Sequence, residues 1–120
     1  MRQMTIAAFG FLLLTAAPSV AAPTYLVAEF EVIDAAGFKE WGQAVSPIGK
    51  AHGAQVLSRG QTPVAAVGEP PKQATIILFE SMEKAQAYLS APEYKALAPK
   101  RDKAAKFRSF LVSGGDAATQ

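Results

Sequence analysis

The chain has 120 residues, with 12 Lys and Arg against 10 Asp and Glu, one His and no Cys. That is the length of a single domain, and a formal charge of +2 is too small a surplus to argue for nucleic acid or an anionic membrane as partner. The missing Cys excludes disulfides, thiolate zinc sites, Cys nucleophiles and iron–sulfur ligation, and a lone His excludes a multi-His metal site within one chain.

Residues 1–21, MRQMTIAAFGFLLLTAAPSVA, have the pattern of a secretory signal peptide: Arg2, an apolar run from Ile6 to Ala17, Pro18, then the small residues Ser19 and Ala21 flanking a cleavage position. The run is shorter than the ~20 residues of a membrane span, so no stable membrane insertion is expected after cleavage. The expectation is export, to a periplasm or outside the cell. Cleavage after Ala21 avoids Pro23 at the first mature position, unlike cleavage after Ala22. A retained anchor is the alternative.

Thr24–Val32 alternates, with Leu26, Ala28, Phe30 and Val32 on one face and Tyr25, Val27, Glu29 and Glu31 on the other, which predicts a strand. Asp34 can cap a helix over Ala35–Ala51, whose Phe38, Trp41, Val45 and Ile48 form an apolar stripe. Pro47 is expected to kink or break that helix, and Gly53 to stop it. Ala54–Arg59 predicts a short strand with Val56 and Ser58 pointing one way and Gln55, Leu57 and Arg59 the other. Gly60–Gln73, with Pro63, Gly68, Pro70 and Pro71, is a loop with an extended arm at Val64–Val67. Ala74–Glu80 is the most apolar strand. Ser81 caps a helix from Met82 to Leu89, Pro92 opens another to Lys106 that Pro99 would disturb, and Phe107–Val112 is the last strand. The domain spans 22–114, with a flexible tail at 115–120.

The order β-α-β-β-α-β predicts an α+β, ferredoxin-like domain: a four-stranded antiparallel sheet with the two main helices on one face. The other face also carries apolar side chains, among them Tyr25, Val27 and Leu57. Such a face needs a partner, and a second copy packed sheet to sheet would supply it.

Several segments carry a family resemblance. They are the first strand followed by Phe38 and Trp41, the turn from His52-Gly53 to Arg59-Gly60, Phe79-Glu80-Ser81, and Ala91-Pro92-Glu93-Tyr94 with Arg101. From about Tyr25 to Gly114 the chain resembles the domain-of-unknown-function 1330 family, which is similar to the dimeric α/β-barrel superfamily. That resemblance implies ferredoxin-like subunits that form a homodimer through their open sheet faces. The superfamily includes small monooxygenases and haem-degrading enzymes, but the family itself implies no reaction. Two positions depart from its pattern: Ala91 replaces a small polar cap, and Trp41 stands where a tyrosine is expected.

The residues suggest a ligand pocket on the open sheet face built from Tyr25, Glu29 and Arg59. There Arg59 would grip a carboxylate or enolate and Glu29 would act as base; the alternative is a structural Glu–Arg bridge at the dimer interface. Tyr94 and Arg101, seven apart on one helix face, could close over that pocket or simply pack. His52, at a helix C-terminus, is a general base, an axial haem ligand or a capping residue. No phosphate loop, nucleophile elbow or metal cluster is present in the sequence, and no cofactor is expected. The reading is a small exported dimeric protein that binds a small molecule in a pocket on the sheet face. The alternatives are a cofactor-independent oxygenase or isomerase using that pocket, and a haem-handling protein with His52 as ligand.

Overall fold

The computed structural model describes residues 21–115. The expected signal, apart from Ala21, and residues 116–120 of the expected tail lie outside the described residues. The alternation of Thr24–Val32 becomes β1 over those same residues. Thr24, Leu26, Ala28 and Phe30 are buried, while Tyr25, Val27 and Glu29 are half-buried on the opposite side. Helix α1 (Ala35–Ala51) begins where the Asp34 carboxylate accepts the Gly37 N–H at 3.2 Å. A Cβ at Gly37 would come within 2.7 Å of that carboxylate, so glycine is what lets the cap close. The break expected at Pro47 is absent: α1 runs through it. Pro47 is exposed, and its missing N–H leaves a single helical hydrogen bond unmade, toward the carbonyl of Gln43. Past the helix, Gly53 adopts φ 78°, the left-handed conformation that ends helices.

Strands β2 (Gln55–Gln61) and β3 (Gln73–Phe79) follow, joined by a loop. The extended arm expected at Val64–Val67 does not form; Val64 and Val67 are 94% and 98% exposed, so the arm has nothing to pack on. Helix α2 (Met82–Ser90) is capped by the Ser81 hydroxyl, which accepts the Lys84 N–H at 3.2 Å. The single helix expected after Pro92 is two, α3 (Pro92–Ala96) and α4 (Ala98–Ala104). Pro99 has no N–H to continue α3, and its fixed φ suits the first turn of a new helix. Ala91 gives α3 no side-chain cap. Strand β4 (Ala105–Ser113) closes the order.

The four strands form one antiparallel sheet in the order β2-β3-β1-β4, which is the ferredoxin-like arrangement. The helices cover one face. Leu26 and Phe79 meet Trp41 and Val45 of α1, Ala85 and Tyr88 of α2, and Tyr94 of α3. On the uncovered face, register places Tyr25 between Leu78 and Val112, and Val27 between Ile76 and Phe110. Ile76, Phe110 and Val112 are 36%, 43% and 46% exposed, so this apolar strip lies open in the single chain.

Candidate functional site

Strand β2 does not keep its alternation. Between Val56 and Ser58, and again between Ser58 and Gln61, the pairing with β3 shifts. Val56 lies opposite Ile77 on the helix side, yet Ser58 lies opposite Ile76 on the open side. Arg59 and Gly60 then share the place opposite Thr75, on the helix side. Two bulges have re-aimed the end of the strand. The second is held by the Gly60 N–H, which donates to the Thr75 hydroxyl at 2.8 Å, and by the Gln73 side-chain amide, which donates to the Gly60 carbonyl at 3.3 Å. Gly60 has φ 60°, a conformation that favours glycine.

Beside this irregular edge, α1 packs along α4, while its Trp41 and Val45 reach Leu26 and Phe79 of the sheet. The space left is a cavity of about 960 Å3. Ala28, Phe30 and Thr75 form its floor; Phe38, Trp41 and Val45 of α1 form its roof. Tyr88 and Phe107 also line it. The aromatic walls are continuous with one another: Phe38 and Trp41 are stacked with centroids 5.2 Å apart, and Trp41 meets Phe107 edge-on at 5.4 Å. Lys39 and Lys50 of α1 and Arg59 of β2 stand around it, with Gln43, Ser46 and Gln73 as neutral polar groups. Burial pushes the Tyr88 hydroxyl well above its ordinary range, so it is a neutral donor at any physiological pH.

The expected sheet-face pocket is therefore corrected in its geometry. Tyr25 and Glu29 are on the open face and Arg59 is on the other side of the sheet, so Glu29 and Arg59 do not meet. The partner of Glu29 is Arg108, its register neighbour on β4, which donates through Nε and Nη2 to one carboxylate oxygen. Glu29, Glu31, Lys106 and Arg108 border a smaller recess of about 440 Å3 beside Pro70 and Pro71. The ion pair foreseen for Glu29 thus exists with a different arginine.

Tyr94 and Arg101 do come together across the α3–α4 junction. Arg101 Nη1 donates to the Tyr94 hydroxyl at 3.3 Å, its Nε donates to Asp102 at 3.0 Å, and its guanidinium lies 5.0 Å over the Phe107 ring. Tyr94 is buried in the core and neither residue lines the cavity. His52 caps α1: its backbone N–H reaches the carbonyls of Ile48 and Gly49. Its ring sits 6.0 Å from that of Tyr88, outside the cavity lining. Among the described residues no cluster of three His, Asp or Glu could hold a metal ion, and no helix is long and apolar enough to cross a membrane.

The family model for the domain of unknown function DUF1330 matches residues 23–115. The chain belongs to the DUF1330 family. No curated protein matches the sequence. Among solved structures, the DUF1330 chain is similar to a protein of unknown function from Rhodopseudomonas palustris, with TM-score 0.63 and 16% identity over 79% of this chain and 84% of that one. It is also similar to SnoaB, a cofactor-independent oxygenase from Streptomyces nogalater, with TM-score 0.56 and 13% identity over 83% and 100% of the two chains. A dimeric ferredoxin-like protein of unknown function from Thermobifida fusca aligns with TM-score 0.55 and 13% identity over 78% and 92%. At these identities the likeness is one of fold.

Sequence reasoning missed most of the cavity. Phe38 and Trp41 belong to the core as their spacing predicts and wall the cavity as well; Lys39, Lys50, Thr75 and Tyr88 carry no motif. One signal did exist: Gly60 sits inside a strand pattern, which marks a bulge.

Proposed function

We propose that this DUF1330 chain is an exported homodimeric binding protein that holds a small, flat, largely apolar molecule between α1 and the sheet. The observation that carries the reading is the cavity of about 960 Å3 with Phe38, Trp41, Tyr88 and Phe107 in its walls. Ligand sites are concave, mostly apolar and of roughly 300–1,000 Å3. Binding there leaves the open sheet face free for a second copy, and the exposed Ile76, Phe110 and Val112 support that use. The dimeric Thermobifida fusca protein shares the fold. Export rests on residues 1–21, and sequencing the N-terminus of the protein recovered from outside the cytoplasm tests it.

The geometry favours binding over the oxygenase or isomerase alternative. The bases expected for that chemistry, Glu29 and His52, do not line the cavity, so it would have to use a lysine or tyrosine of the lining instead. The same placement of His52 weighs against haem handling.

Trp41 is the chain's only tryptophan and faces the cavity, so its fluorescence reports occupancy. Matched naphthalene probes should give saturable changes in that emission. Gly42 lines the cavity and a Cβ there meets nothing within 4 Å, so Gly42→Phe can project a ring into it and should weaken the response while the unfolding midpoint is kept. No saturable response to any probe at millimolar concentration overturns the reading.

A further inference from the structure

We infer that the ligand of this cavity is an anion, a planar aromatic carboxylate; the inference rests on the binding reading above. Among the described residues Lys39, Lys50 and Arg59 line the cavity and no Asp or Glu does, although the whole chain is close to balanced. The local excess of three cations to no carboxylate is therefore a property of this place and not of the composition. Lys39 and Lys50 are eleven apart, which is three turns of α-helix, so they share one face of α1, about 160–180° around the axis from Trp41; both are exposed, as is Arg59, and the three stand at the cavity's rim. The ion pairs of the described residues leave all three cations unneutralised. Glu40, the acidic neighbour of Lys39, reaches Lys100 of α4 at 3.7 Å instead. Glu29 is held by Arg108, Glu80 by Lys84 and Asp102 by Arg101.

Arg59 joins the two lysines because the β2 register shifts between Val56 and Ser58. Regular alternation from Gln55 would have sent it to the open face. The second irregularity, beside Arg59, is secured by Thr75 and Gln73 from within the cavity lining, so the backbone next to the guanidinium is part of the same site. An uncompensated set of cations beside an apolar hole concentrates anions, and a guanidinium matches a carboxylate with two parallel hydrogen bonds. The flat walls given by Trp41, Phe38 and Phe107 select the body of the molecule; the cations select its charge.

The test is calorimetric titration of the full mature chain with matched acid and amide pairs: benzoate and benzamide, 2-naphthoate and 2-naphthamide, 2-anthroate and its amide. (2-Naphthylmethyl)ammonium is the cationic control. The best-fitting acid should bind at least about tenfold more tightly than its amide, the ammonium should not bind, and added salt should weaken the acid alone. Arg59→Gln should cut the acid's advantage to within about threefold and leave the amide unchanged. Arg108→Gln, on the other face, should change neither. Equal binding of acids and amides overturns the anion inference while the cavity reading stands. An Arg59→Gln variant that keeps the full preference also overturns it. If no probe binds, both readings fall.

Discussion

Ile76→Asp tests whether the open sheet face is a dimer interface. Ile76 lies on β3 between Val27 of β1 and Ser58 of β2, and it is 36% exposed in the single chain. A carboxylate there stays in contact with water in the protomer, so the fold loses only about 1 kcal/mol of strand preference. Its register neighbours carry no cation; on this face β1 offers Tyr25, Val27 and Glu29. In a sheet-to-sheet dimer the substitution enters the interface twice, because a two-fold contact repeats every residue. An unpaired buried carboxylate costs on the order of 3 kcal/mol, so two cost about 6 kcal/mol, close to a 10⁴-fold weaker dissociation constant. Sedimentation velocity at about 10 μM should show a dimer for the unsubstituted protein and a monomer for Ile76→Asp, with circular dichroism unchanged. A monomeric unsubstituted protein refutes the dimer. A dimeric Ile76→Asp refutes this face as the place where the copies meet.

Three further expectations concern stability. Thr24 is fully buried and its hydroxyl has no hydrogen-bond partner among the described residues, so Thr24→Val, which keeps the shape and removes the stranded group, should stabilise by about 1 kcal/mol in urea unfolding. Destabilisation would mean that the hydroxyl is bonded in solution. Asp34→Ala removes the cap on Gly37 and should cost about 1 kcal/mol, read in the same assay. In alkali the sign follows from the tyrosines. Burial raises both Tyr88 and Tyr94, against the opposing pull of Arg101 on each, above the ordinary value of 10.0. The unfolded chain therefore gives up these protons first. Stability is complete below pH 10 and declines as the pH rises past it. Tyr88→Phe should flatten that decline in urea midpoints, and an unchanged slope would show that Tyr88 titrates normally.

The parts of this protein that were legible in its sequence are those where one period rules a whole element. Strand β1 and helix α1 were readable to the residue, because strict alternation and a capped apolar stripe leave little else for Thr24–Val32 and Ala35–Ala51 to do. The prolines show where local rules stop. Pro47 lies well inside a helix whose Trp41 and Val45 are anchored in the core, and tertiary packing carries the helix through it. Pro99 follows the short α3, which has no side-chain cap, and there the chain breaks and restarts.

The site was harder to read for a different reason. An apolar stripe looks the same whether it only fills a core or also walls a cavity, and Trp41 does both. Parity mattered more still. One extra residue near Leu57 moves Ser58 and Arg59 to the opposite faces, and the second shift returns Gln61 to the open face opposite Ala74. With regular pairing Arg59 would look out toward Glu29, and the natural reading is an ion pair in a dimer interface. With the bulge it joins Lys39 and Lys50 over an aromatic cavity, and Glu29 is left to Arg108. Gly60 fixes the end of that shifted stretch: its left-handed φ and its two hydrogen bonds, to Thr75 and from Gln73, hold the second irregularity beside Arg59, on the helix side of the sheet.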